Sequence, residues 1–126
     1  MLDYIRIACA VPPVKVGDTV KNTADICRYM EKADQAGADL VVFPELVLTG
    51  YTCQDLFFQD TLYEGVKAGL RQIVACSKNH PHLTAVVGLP VRVGMRMYDA
   101  AAIVANGCVH LTAKTYIAGS GENRWF

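Results

Sequence analysis

The run Leu40-Val41-Val42-Phe43 has no polar break, lies just after Gly37-Ala38-Asp39 and stops at Pro44. Side chains of a strand alternate between two faces, so an unbroken apolar run needs cover on both of them. That requirement points to a sheet inside a layered α/β protein. The residues before it agree. Tyr4 to Val11 (YIRIACAV) reads as a short apolar strand ended by Pro12-Pro13, which cannot continue a ladder. A helix is expected next, with Asp18 as cap, Val20, Ala24, Cys27 and Met30 at spacings of three and four, and Gly37 as stop. Strand, helix and strand in this order form a right-handed crossover unit.

The second half changes texture. Asp60 is the next capping candidate, and Leu62, Val66, Leu70, Ile73 and Val74 make the inward stripe of a helix reaching about Asn79, where His80-Pro81 ends it. Leu83 to Val91 is a further apolar strand. The segment Val91 to Met97 turns at Gly94, and Tyr98 to Ala105 forms a strand of small and branched residues. Asn106-Gly107 is the strongest hairpin signal in the chain, with Cys108 to Lys114 returning. Crossovers followed by hairpins predict an α/β fold with a mixed sheet and helices on one face.

Composition excludes several classes of function. Twelve basic and twelve acidic residues give zero formal charge, so no basic surface for nucleic acid is implied. No stretch has the roughly 18 apolar residues of a membrane span, and MLDYIRIA carries charge where a signal peptide needs an apolar core. The five cysteines, Cys9, Cys27, Cys53, Cys76 and Cys108, are scattered without a CxxC pair, which fits reduced thiols in the cytoplasm.

Ligands of open α/β sheets bind beyond the carboxyl ends of strands. Glu45 stands there, one proline past the run, with a Thr49-Gly50-Tyr51 turn able to fold the loop back over it. In a partly dry cleft its proton affinity would rise toward neutrality, as suits a general base; a solvated strand-end carboxylate is the plainer alternative. Lys114 ends the last strand, either as a fixed cation for an oxyanion or as a charge marking the exit into solvent. Cys76, His80 and His82 match no standard zinc spacing. No glycine-rich phosphate loop or GxSxG elbow occurs. Cys53, eight residues beyond Glu45, is a candidate thiol nucleophile or a small buried hydrophobe.

The stretch FPELVLTGYTCQDLF resembles the nitrilase (carbon–nitrogen hydrolase) superfamily, together with YIRIACAVPPVKVGD, TAVVGLPV, YDAAAIVANG, AKTYI and ENRWF. The resemblance is nearest to the N-terminal glutaminase domains of glutamine-dependent NAD+ synthetases and covers essentially the whole chain. It implies a nitrilase-like α-β-β-α sandwich, with Glu45 as general base, Lys114 stabilising a tetrahedral intermediate and Glu122 helping to position substrate. Glutamine is the implied substrate. Its ammonia would pass to a C-terminal synthetase domain that uses ATP and magnesium to convert deamido-NAD+ to NAD+, in an enzyme assembled as a homo-oligomer.

Two departures accompany the resemblance. The family's nucleophilic cysteine follows a strand well downstream of the lysine, and none of the cysteines here takes that position. Residues 1–126 are therefore expected to form about the first half of a glutaminase domain, inactive alone, with no metal or cofactor in this segment. In addition, Ala118-Gly119-Ser120-Gly121 replaces a longer family segment containing proline, tyrosine and phenylalanine that shapes the glutamine pocket. A non-catalytic module of the same fold and another nitrilase-type amidase are the alternatives.

Overall fold

The computed structural model describes residues 4–126. In chain order it contains β1 (Ile7–Cys9), α1 (Thr19–Gln35), β2 (Leu40–Val42), a 3₁₀ turn (Gln54–Phe58), α2 (Asp60–Ser77), β3 (Thr84–Val93), β4 (Arg96–Ala105), β5 (Cys108–Ala113) and α3 (Ser120–Asn123). The strands form one sheet in sequence order. β1, β2 and β3 are parallel, and β3, β4 and β5 are antiparallel. This is the mixed α/β sheet expected from the crossovers and hairpins.

β1 is shorter than Tyr4–Val11. Its partner β2 has only three ladder residues, and the pairing dies out after Ala10 donates to the Val42 carbonyl at 2.9 Å. The hairpin strands run longer than expected. β3 and β4 stay paired to Val93 and Arg96, so Gly94, at φ +62°, and Met95 alone make the turn. Asn106 (φ +44°) and Gly107 (φ +81°) close the second hairpin in the left-handed conformation that such two-residue turns require.

Asp18 caps α1 by accepting from the Lys21 amide at 3.0 Å, and Gly37, at φ +79°, follows its end. The inward stripe of α1 is shifted, however. Val20 is exposed, and the buried positions are Thr19, Asn22, Thr23, Ile26, Met30 and Ala33. Close helix packing explains the substitution of polar for apolar residues. A Cβ on Gly65 would stand 2.3 Å from the Thr19 hydroxyl, and one on Gly69 2.4 Å from that of Thr23. Two glycines one turn apart thus let α2 press against threonines. Asn22 can be buried because its amide bonds the Lys15 backbone and the Leu48 carbonyl. In α2 the buried set is Leu62, Tyr63, Val66, Gly69, Ile73 and Ser77, while Gln59 rather than Asp60 holds the cap position.

The register separates two sheet faces. Val41, Ala85, Val87, Ala102 and Val104 lie under the helices in a core with Ile26, Met30 and Ile73. Val42, Val86 and Ile103 alternate with them onto the other face, where they stay partly exposed, so that this face is uncovered at these positions. None of the helices is long and apolar enough to cross a membrane.

Candidate active site

Glu45 owes its place to a loop that replaces a strand. β2 pairs with β3 only as far as Val42 and Val86, after which the Phe43 amide still bonds the Val86 carbonyl at 2.9 Å and Pro44 ends the ladder. The chain then crosses directly over Gly88 of β3. A Cβ there would meet the Leu46 nitrogen at 2.4 Å, the Pro44 oxygen at 2.6 Å and the Glu45 carbonyl carbon at 2.9 Å. Only glycine admits that approach. Leu46 is buried at φ +54°, an unusual conformation for a branched side chain, held by the Gly50 amide bonding the Leu46 carbonyl at 2.7 Å and the Leu48 amide bonding Gly88 at 3.2 Å.

Three further elements bring charge to this loop. Lys114 follows β5, and its backbone amide bonds the Asp99 carbonyl of β4 at 2.8 Å. Its ammonium donates to Glu45 Oε1 and Glu122 Oε2, both at 2.9 Å. The Tyr51 hydroxyl donates to Glu122 Oε1 at 2.8 Å. Thus the Thr49-Gly50-Tyr51 turn reaches Glu122, on the far side of the lysine. Glu122 is carried by α3, whose exit is anchored by Trp125 and Phe126, with ring centroids 5.7 and 5.0 Å from that of buried Phe57. Despite the short Ala118–Gly121 segment, the ENRWF block delivers its carboxylate to the lysine and its aromatics to a small second core. Beside the group is a shallow depression of about 310 Å³ on the uncovered face, lined by Pro44, Glu45, Val86, Gly88, Asp99 and Lys114 among others.

The electrostatics correct one expectation. Glu45 is not raised toward neutrality. Hydrogen bonding from Asp99, then from Lys114, holds its carboxyl below the ordinary range. Its side chain is 41% exposed, so desolvation is too weak to oppose these donors. Glu122 is likewise lowered, by Lys114 first and Tyr51 second, and the two carboxylates raise Lys114. The Tyr51 hydroxyl is raised by its bond to Glu122. The elevated acid is Asp99, pushed up to about 7 by burial and by its contact with Glu45. Sequence reasoning missed it inside YDAAAIV. The available signal was a carboxylate in the middle of an otherwise apolar strand.

A carbon–nitrogen hydrolase family model matches residues 6–121. The chain belongs to the carbon–nitrogen hydrolase family. It is 32% identical, over 90% of its length, to the glutamine-dependent NAD(+) synthetase of Mycobacterium leprae, of which it spans 17%. The crystal structure of a glutamine-dependent NAD(+) synthetase from Cytophaga hutchinsonii superposes with a TM-score of 0.84 at 31% identity, over 97% of this chain and 21% of that one. An amidase from Nesterenkonia sp. AN1 shares the fold, with a TM-score of 0.85 at 23% identity, over 98% of this chain and 49% of the amidase. The chain therefore spans about a fifth of the synthetases it matches.

The other candidates of this carbon–nitrogen hydrolase chain do not join the site. None of its cysteines lines the depression. Cys53 is buried against Leu46, Phe57 and Leu62, its thiol donates to the Thr49 carbonyl at 3.1 Å, and burial raises its proton affinity, the opposite of an activated thiol. His80 bonds Asp34 at 2.8 Å, and Cys76, His80 and His82 form no cation-holding group among the described residues. Glu45, Asp99 and Glu122 do offer oxygens within 4.8 Å of one another. Two of the three are already bonded to the Lys114 ammonium, which serves as the internal cation of the cluster.

Proposed function

We propose that the chain is the N-terminal part of a glutaminase domain, in which Glu45 is the general base, Lys114 stabilises the oxyanion of a tetrahedral intermediate and Glu122 positions substrate and lysine. The observation that carries this reading is the ammonium shared by Glu45 and Glu122 beside a depression on the uncovered sheet face. An ammonium has three N–H donors. Two are taken by carboxylates, which fixes Lys114 in place and leaves one for a substrate oxygen. A preorganised donor of this kind contributes roughly 10²–10³ in rate, and a placed base roughly 10²–10⁴.

The thiol that the base would serve comes from outside residues 1–126, on the half of the domain that would cover Val42, Val86 and Ile103. The match to about half of the amidase's length supports this division. The synthetase relatives support glutamine as the amide and ammonia as the product handed on. On this reading the partners are glutamine, the remainder of the domain, an ATP- and magnesium-using synthetase domain that makes NAD+, and further copies of the enzyme in the cytoplasm.

The test joins residues 1–126 to the coding sequence that continues the domain and measures ammonia released from glutamine. Glu45→Gln and Lys114→Ala should each lower release by at least about a hundredfold. The 126-residue chain alone should release none. Full activity in Glu45→Gln, or Glu45-dependent release by the chain alone, defeats the reading and favours a non-catalytic module or a different chemistry.

A further inference from the structure

Asp99 stands on β4 at 3% exposure, opposite Pro90 of β3, with the Glu45 loop, Lys114 and Glu122 arranged over it. Its Oδ2 is buried with no hydrogen-bond partner among the described residues. A carboxylate oxygen of Asp99 lies within 4.8 Å of one from Glu45 and one from Glu122. Two ionised carboxylates repel at that separation and neither can donate. The contact becomes attractive only when one of them holds a proton.

We propose that Asp99 is a positioning residue that donates its carboxyl proton to Glu45 in a hydrogen bond, so that the two carboxyls share one proton and Glu45 is the ionised member. The division follows from surroundings. Lys114 donates to Glu45 and not to Asp99, so the negative charge is best placed on Glu45. Burial acts on Asp99 more than on the 41%-exposed Glu45, so the neutral form is best placed there. The charged and titratable groups facing Asp99 are Glu45 from the loop after β2, Lys114 from the end of β5 and Glu122 from α3, with the Tyr51 hydroxyl beyond Glu122; its β3 partner, Pro90, has no titratable group. Glu122 adds a second negative charge, which further favours a neutral Asp99. The direction of the Asp99 shift, upward to about 7, agrees with this arrangement.

The shared proton orients the base. Glu45 accepts from Lys114 on Oε1 and from Asp99, which leaves few orientations to a side chain that could otherwise swing into solvent. When Glu45 takes a proton in its role as a base, the pair passes from one proton to two, one on each carboxyl, and its net negative charge is gone. The inference rests on the proposed role of Glu45 for its catalytic meaning, but not for the proton itself.

The experiment is a carboxyl ¹³C NMR titration of the 126-residue chain between about pH 3 and 9, with Asp99→Asn and Glu45→Gln used for assignment. Asp99 should titrate near 7, Glu45 below its ordinary value, and in Glu45→Gln the Asp99 midpoint should fall by roughly one unit or more. An Asp99 midpoint in the ordinary carboxylate range, or one that Glu45→Gln leaves unmoved, overturns the inference. If Asp99→Asn does not fold, the native titration and Glu45→Gln at its exposed position still decide. Because the readout is protonation, loss of the glutaminase reading leaves this result standing, and loss of this result leaves that reading testable by ammonia release.

Discussion

Neighbouring residues of the same strands have opposite fates in this molecule. Val41, Ala85, Val87 and Val104 are fully buried beneath α1 and α2, whereas Ile103, one residue from Val104, is 38% exposed, and Val42 and Val86 are only half-buried. Both sets are aliphatic, so hydrophobicity alone does not distinguish them; what differs is whether an element has been supplied to cover them. The covered face carries the stability of the chain. The uncovered face carries its charged cluster, since Glu45, Asp99, Lys114 and the floor of Val86 and Gly88 border one depression there. A sheet that is apolar on both sides but helix-covered on one leaves its second side open, and the charged cluster sits at the edge of that open surface.

The sharpest way to test this division is to truncate both faces. Ile73→Ala removes a fully buried side chain between α2 and the sheet and should cost about 2–5 kcal/mol in chemical denaturation. A loss as small as that of a surface change would mean the helix layer is not the stable face. Gly88→Ala acts at the boundary. Its added methyl meets backbone atoms of the Glu45 loop at 2.4–2.9 Å, so the loop must move, with an expected cost of about 1–3 kcal/mol. Backbone amide shifts concentrated at residues 43–50 would locate the damage; shifts spread evenly over the helices would contradict the account.

Much of this architecture was legible in the sequence because its cues are local. An unbroken apolar run, a glycine after a periodic stretch and Asn106-Gly107 each specify backbone geometry within a few residues, and each stands as expected. Glu45, Lys114 and Glu122 were named from strand-end placement and resemblance, and the fold brings them within 2.9 Å contacts. The misreadings share a different cause. The α1 stripe was phased on Val20, when the buried surface is defined by what α2 presents, namely Gly65 and Gly69 opposite Thr19 and Thr23. Gly88 lies within an apolar strand where no local cue marks it, and its actual use depends on a chain segment more than forty residues away. Asp99 went unnoticed because its meaning depends on Glu45, Lys114 and Glu122 arriving from three other elements. Pairwise spatial relations of this kind have no signature in periodicity.

Asp99 ties the two faces to pH. Its folded-state pKa is raised, so between about pH 4 and 7 the folded chain holds a proton that the unfolded chain has released. Its contribution to stability is full below that window, falls as pH rises through it and is level above. Asn in its place can donate to Glu45 without ionising. The stability of Asp99→Asn relative to the native chain should therefore rise from pH 4 to 7, by as much as about 4 kcal/mol, since each pH unit of that window is worth about 1.4 kcal/mol. Thermal melts at several pH values would show it, and a difference independent of pH would contradict a buried, titrating Asp99.

The smallest effect is expected on the uncovered face itself. Ile103→Thr keeps a β-branched side chain in β4 and exchanges a methyl-bearing branch for a hydroxyl at a position already reached by water, so its stability should change by no more than about 0.5 kcal/mol. Its effect on association should be larger than its effect on folding. If Val42, Val86 and Ile103 are the contact meant for a covering element, a hydroxyl among them should raise the concentration at which the chain self-associates, as read by sedimentation, and should weaken capture by the remainder of the domain. A loss of stability as large as that of Ile73→Ala would mean that Ile103 is already covered in the isolated chain, and the contrast between the two faces would disappear.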